Sequence, residues 1–182
     1  MKITLDWLRE KNACSEAAKA FEEKFGTEAD YQAVLDEAVR IDRADWAYWL
    51  LTIAGRIDAV LKIDGDLISD KGIAFAGAIE VSGSINVKFL FAGHGIEAGE
   101  GIKAGRGIKA GRGIKAGWGI KAGLGIEAGE GIEAGWGIEA GNDYGIYVGI
   151  GVRLSLKSQY AIITAKSEPK NIICGEFKAI NQ

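Results

Sequence analysis

Between Gly95 and Asn142 the chain repeats one six-residue unit eight times: GIEAGE, GIKAGR, GIKAGR, GIKAGW, GIKAGL, GIEAGE, GIEAGW and GIEAGN. Six is not close to a multiple of 3.6, so the unit cannot keep one face of a helix buried. Two glycines per unit would also cost about 1 kcal/mol each in a helix interior. As a strand the unit is coherent. Ile and Ala lie two apart and share a face, while the Glu or Lys between them points the other way. The glycines flank the sixth residue, where the chain turns a corner by positive φ or by close backbone approach. Short fixed periods of this kind mark solenoids, so the unit predicts one side of a parallel β-helix.

The charges decide how many sides make a coil, because stacked residues lie about 4.8 Å apart. A twelve-residue coil pairs Glu97 with Lys109 and Lys103 with Lys115, giving three attractive and three repulsive contacts in all. An eighteen-residue coil gives Glu97/Lys115, Lys103/Lys121, Lys109/Glu127, Lys115/Glu133 and Lys121/Glu139, of which four attract and one repels. At its corners Arg112 meets Glu130 and Trp118 lies on Trp136. Opposite charges and aromatic pairs stabilise such ladders and like charges oppose them, so the triangular coil is preferred. The ladder extends back through Leu61, Leu67, Ile73, Ile79, Ile85 and Phe91, slips by one residue near His94, and resumes at Ile96. Phe75, Val81 and Val87 replace the inward Ala of later units, predicting a wider prism or different corners there. From Ile146 to Leu156 plain alternation predicts a longer strand.

Residues 1–56 contain only Gly26 and Gly55 and no proline, and they read as helices. Thr4 is placed to cap a helix over Leu5–Lys11, and Ser15 a second carrying Ala17, Ala18, Phe21 and Phe25, stopped by Gly26. Asp30 is placed to cap a third, with Tyr31, Val34, Leu35, Ala38 and Ile41 on one face. A fourth, over Arg43–Ala54, aligns Trp46, Trp49, Leu50 and Ile53. The predicted fold is thus α+β: an N-terminal helical module over 1–56, a parallel β-solenoid of about 18 residues per coil over 57–157, and an irregular C-terminal cap over 158–182. The module is expected to cover the other solenoid end.

Composition removes several function classes. The net charge of −3 marks neither a nucleic-acid binder nor an acidic tail. Two cysteines, Cys14 and Cys174, and one histidine, His94, supply no zinc cluster or disulfide framework, so no metal or cofactor is expected. The cysteines read as small buried residues of the module and the cap. No run is long enough to span a bilayer and the N-terminus is no signal peptide, so the expected location is the cytoplasm. GRGIKAG spaces its glycines as G-x-G-x-x-x-G with no following helix, which is not a dinucleotide fingerprint. His94 has no visible nucleophile or base beside it, so no catalytic residue is assigned.

What remains is a surface. Trp118 and Trp136 sit at glycine-flanked corners, where they are either exposed contact residues or covered by the module or a terminal loop. Arg106, Arg112 and Glu130 occupy equivalent corners. Charge falls along the axis, from +2 over residues 97–114 to zero over 115–132 and −3 over 133–150, read as solvated ion-pair faces or as a docking gradient. Partner binding is therefore assigned to Trp118, Trp136, Arg106, Arg112 and Glu130.

The period-six Ile ladder with Gly-rich corners, from Leu61 to Leu156, resembles bactofilin-type triangular β-solenoids, which implies self-assembly. It resembles left-handed hexapeptide acyltransferases less closely, which would imply a degenerate transferase. The segments ITLDWLREKNACSEAAKAFEEKFG and ADWAYWLL are similar to helical modules on small proteins of phages and bacterial mobile elements. That resemblance implies a phage-borne protein that acts by binding in the bacterial host cytoplasm, for instance as an anti-CRISPR-like inhibitor of a defence complex. The expected function is a non-enzymatic, rigid binding scaffold with a protein partner from a bacterial host complex. It is expected to be a monomer or small homo-oligomer, with no nucleic-acid or membrane partner.

Overall fold

The computed structural model describes residues 1–150, 152 and 156–180. Its first part is a helical module. β1 (Lys2–Thr4) pairs antiparallel with β2 (Glu28–Asp30), enclosing α1 (Leu5–Glu10) and α2 (Ser15–Phe25). α3 (Tyr31–Arg40) and α4 (Ala44–Ala54) follow. Thr4 caps α1, its Oγ1 accepting from Trp7 N at 3.1 Å, and Asp30 caps α3 through Gln32 N at 3.0 Å. Two expectations need correction. Cys14, not Ser15, is the N-cap of α2, without a side-chain bond, and its side chain is exposed rather than buried. α4 buries Ala47, Leu50 and Leu51 and leaves Ile53 exposed, because its inward stripe is turned toward the solenoid as well as toward α3. Tyr31 lies fully buried at the module's centre, its hydroxyl donating to Gly55 O at 2.9 Å. Burial pushes that phenol's pKa well above its ordinary value.

The solenoid follows as coils of three short strands. The first holds β3 (Val60–Ile63), β4 (Leu67–Ile68) and β5 (Ile73–Phe75); the second β6 (Ala78–Val81), β7 (Ile85–Val87) and β8 (Leu90–Ala92). The third holds β9 (Ile96–Ala98), β10 (Ile102–Ala104) and β11 (Ile108–Ala110); the fourth β12 (Ile114–Ala116), β13 (Ile120–Ala122) and β14 (Ile126–Ala128). The fifth holds β15 (Ile132–Ala134), β16 (Ile138–Glu139) and β17 (Ile146–Val148). Three parallel sheets wall the prism, running β3-β6-β9-β12-β15, β4-β7-β10-β13-β16 and β5-β8-β11-β14-β17; we call these walls one, two and three. Ile114 pairs with Ile96 and Ile132, and Ile120 with Ile102 and Ile138, each eighteen residues away. The Ile and Ala of every repeat are buried in one continuous core.

The slip in the ladder lies earlier than the spacing predicts. Ile85 pairs with Ile102, seventeen residues on, because the corner between Val87 and Leu90 lacks one residue. Leu90 then points into the core. Phe91 points outward opposite Lys109, not inward as the six-residue ladder predicts. Phe89 and Phe91, with centroids 4.9 Å apart, form instead an aromatic seat for the module, and Tyr48 of α4 packs on Phe91 at 5.9 Å.

This seat fixes where the module goes. It lies against the outer face of wall three and over the edge of β5, and does not close the end of the prism as expected. The Gln32 amide completes the edge: its Nε2 donates to Ala74 O at 2.8 Å and its Oε1 accepts from Ala76 N at 3.1 Å. A side-chain amide thus stands in for the missing strand. β3 and β4 remain uncovered edge strands, with Val60 and Ile68 exposed.

At the far end the expected irregular cap is ordered. After α5 (Lys157–Tyr160), β18 (Ile162–Ala165) continues wall one over β15, β19 (Ile172–Cys174) continues wall three over β17, and β20 (Glu176–Ala179) pairs with β18. The strand expected over Ile146–Leu156 stops at Val148, before Gly149 at φ 76°. Residues 151 and 153–155 of that span lie outside the described residues.

The corners of the repeats use close approach, not positive φ. A Cβ on Gly99, Gly117, Gly123 or Gly135 would overlap the backbone carbonyl of the coil beneath. Gly105 is different. It lies above the shortened corner, where a Cβ would stand 3.6 Å from Lys88 O, an ordinary contact. Gly117→Ala or Gly123→Ala should therefore destabilise by about 1–3 kcal/mol or more, as overpacked interiors do. Gly105→Ala should be near neutral; urea unfolding of the three variants measures the difference.

Candidate interaction surface

Each corner carries a column of side chains built by the eighteen-residue register. Glu100, Trp118 and Trp136 form the column between walls one and two: Trp118 N donates to Glu100 O at 3.1 Å, and Trp136 N to Trp118 O at 2.9 Å. Lys88, Arg106 and Leu124 form the column between walls two and three. His94, Arg112 and Glu130 form the third, with Arg112 Nε donating to Glu130 at 3.0 Å and its NH1 lying 3.2 Å from His94 Nε2. His94 is thereby tied into a corner stack. The five residues assigned from sequence thus divide among three corners. Arg106 and the tryptophans border wall two from its two sides, while Arg112 and Glu130 lie across the prism.

The two tryptophans are open to solvent, Trp118 at 55% and Trp136 at 68%. Neither the module nor the C-terminal strands cover them; Lys166 Nζ approaches the Trp136 ring at 5.9 Å. Flanking glycines put no side chain between the rings and solvent. Arg106 is less available. Asp42, in the α3–α4 turn, bonds Lys88 at 2.6 Å and Arg106 at 3.3 Å. These cations hold the Asp42 carboxyl below its ordinary pKa, the Lys88 bond contributing most. A second clasp joins module and prism. The Tyr48 hydroxyl donates to Glu127 at 2.8 Å, Lys109 Nζ bonds the same carboxylate at 2.9 Å, and that ammonium stands 3.6 Å above the Tyr48 ring. Burial, followed by the bond to Glu127, raises the Tyr48 pKa.

Two features were absent from the sequence reading. One is Asp42 as a bridge, since a turn residue 46 positions from its lysine leaves no periodic signal. The other is an apolar groove of about 400 Å³ between α2, α3 and α4, walled by Phe21, Phe25, Trp46 and Trp49. No group of three or more His, Cys, Asp or Glu among the described residues is gathered to hold a metal ion. No helix among them is long and apolar enough to cross a membrane.

The comparisons divide the chain at the same place as the fold. Residues 1–54 match the family model described as YdhT N-terminal domain. No curated protein and no solved structure matches the chain. The matched segment ends with α4, so the module is similar to a recognised domain and the prism lies beyond the match.

The Asp42 clasp gives a pH dependence of definite sign. A carboxyl whose folded pKa is depressed stabilises above its unfolded value and loses that contribution as pH falls through the folded one. The stability carried by Asp42 is therefore present at neutral pH and declines below the ordinary value of 3.8. Asp42→Asn should flatten that part of the wild-type loss, read as melting temperature between neutral pH and the acid limb.

Proposed function

We propose that this protein is a non-enzymatic binding scaffold: a triangular prism that presents the Trp118–Trp136 ridge to a protein partner, with the helical module fixed to its flank. The observation that carries this reading is the exposure of both tryptophans on one corner of a rigid, continuously hydrogen-bonded column. Exposed Trp side chains on well-ordered backbone are favoured binding anchors, because a large apolar surface is desolvated at small cost in conformational entropy. The narrower reading, an inhibitor of a bacterial defence complex acting in the host cytoplasm, rests on the resemblance of the helical segments to phage modules. The family description matched by that region names neither phage nor defence.

Self-assembly into filaments is the second reading, and the uncovered edges of β3, β4 and β20 favour it. Three features oppose it. Gln32 closes the β5 edge, and Lys62 and Lys178 are on the two open edge strands of wall one, where lysine disfavours edge-to-edge pairing. A second copy extending wall one would also bring these lysines together.

Replacing both tryptophans by Ala should leave the melting temperature unchanged, since the rings are not part of the core, and should weaken partner binding by at least about 2 kcal/mol. Thermal melts beside pull-downs from bacterial lysate read both quantities. Lower stability with unchanged binding would make the tryptophans structural and reverse the proposal. Fibres of the intact protein in light scattering would favour the filament.

A further inference from the structure

Along the outward columns of the walls, charge is balanced almost everywhere. Lys62 bonds Glu80 at 3.0 Å, Lys109 bonds Glu127 at 2.9 Å, Lys115 approaches Glu133 at 4.0 Å and Lys121 bonds Glu139 at 2.9 Å. Glu97 is beside Glu80 on one side, but Lys115 stands opposite it on the other. Within the repeats Lys103 is the exception. On wall two its neighbours in register are Asn86 below and Lys121 above, so neither side offers a carboxylate. It is exposed, and among the described residues it has no ion pair. Like charges directly opposite each other on a sheet are destabilising. A local departure of this kind, in an otherwise complementary surface, is where a partner is expected to supply the missing charge.

Its position is the second observation. Trp118 is the corner residue that leads into β13, whose outward residue is Lys121, and Lys103 lies one coil below. The like-charged pair, of which Lys103 lacks a counter-charge, and the exposed ring therefore border the same stretch of wall two. We propose that the partner is an acidic protein surface, with a carboxylate over Lys103 and Lys121 and an apolar side chain against Trp118. This rests on the reading of the tryptophan corner as the contact and names the chemistry of what it contacts. Electrostatic complementarity would steer the approach, while the ring would supply the desolvated anchor. A nucleic-acid strand fits less well. Glu139 stands above Lys121 and Glu100 below Trp118, so a phosphate track along the axis would meet carboxylates at both ends of the patch.

The test uses the intact protein and a display library of random dodecapeptides. Wild type should enrich peptides that combine Asp or Glu with an aromatic or large aliphatic residue. For those peptides Lys103→Glu should weaken binding on the order of tenfold or more. Its melting temperature should be no lower than that of wild type, because the change places a carboxylate beside Lys121. Lys19→Glu, the same charge change on α2, should leave affinity unaltered. Peptides that bind Lys103→Glu as tightly as wild type would overturn the acidic-partner proposal. If those peptides still depend on Trp118 and Trp136, the binding-corner reading survives; if they do not, both fail. Failure to enrich such peptides would overturn the proposal, and Lys103-dependent binding of single-stranded DNA in that case would replace the protein partner by a nucleic acid.

Discussion

The structure depends on how closely one backbone coil lies on the next at its corners. Where the repeats turn, the glycine after the inward Ala, Gly105 excepted, sits with its Cα against the carbonyl of the coil beneath, leaving no room for a Cβ. This contact makes the corners narrow, keeps successive coils in eighteen-residue register and lets Ile stack on Ile through the core. A side chain at that position would have to part the coils against the backbone bonds between them. Register in turn sets the surface: the same stacking that aligns Ile114 over Ile96 aligns Trp136 over Trp118 and Glu130 over Arg112.

A corner that departs from this rule, the shortened one, organises the rest of the molecule. Losing a residue between Val87 and Leu90 rotates Phe91 outward and leaves Phe89 beside it, so the prism acquires an apolar seat on one flank. The helical module occupies that seat. Gln32 closes the adjoining strand edge, and Asp42 and Tyr48 reach polar groups on the second, third and fourth coils. One flank is thereby buried and charge-matched, while the tryptophan corner is left clear of the module. The prism behaves as a ruler with one side occupied and another offered.

Much of this was legible in the sequence because a strict repeat converts spacing directly into stacking. Counting attractive pairs at twelve and eighteen residues was enough to choose the triangular coil and to place Trp118 with Trp136. The errors fall where the repeat is broken or where no repeat exists. Phe89, Leu90 and Phe91 are all apolar, so hydrophobicity alone does not say which of them faces inward; the packing of the module does. The isolation of Lys103 was half visible, as the single repulsive pair. That Asn86 lies beneath it follows only from the seventeen-residue step across the shortened corner. The three-residue strands β1 and β2 carry too little pattern to separate from helix caps. The role of Gln32 was hidden because a polar residue on a helix ordinarily faces water. In the C-terminal segment, β18 and β19 rejoin the walls without the glycine spacing that announced the earlier strands.

The eighteen-residue coil is tested most directly by amide-to-amide nuclear Overhauser contacts in the isotopically labelled, full-length protein. The triangular prism gives cross-peaks between inward and corner positions eighteen apart, such as Trp118 with Trp136 and Ile102 with Ile120, giving way to seventeen between Ile85 and Ile102. Contacts twelve apart, linking Ile102 with Ile114 and Trp118 with Glu130, would contradict the triangular prism and dissolve the corner columns on which the binding surface is built.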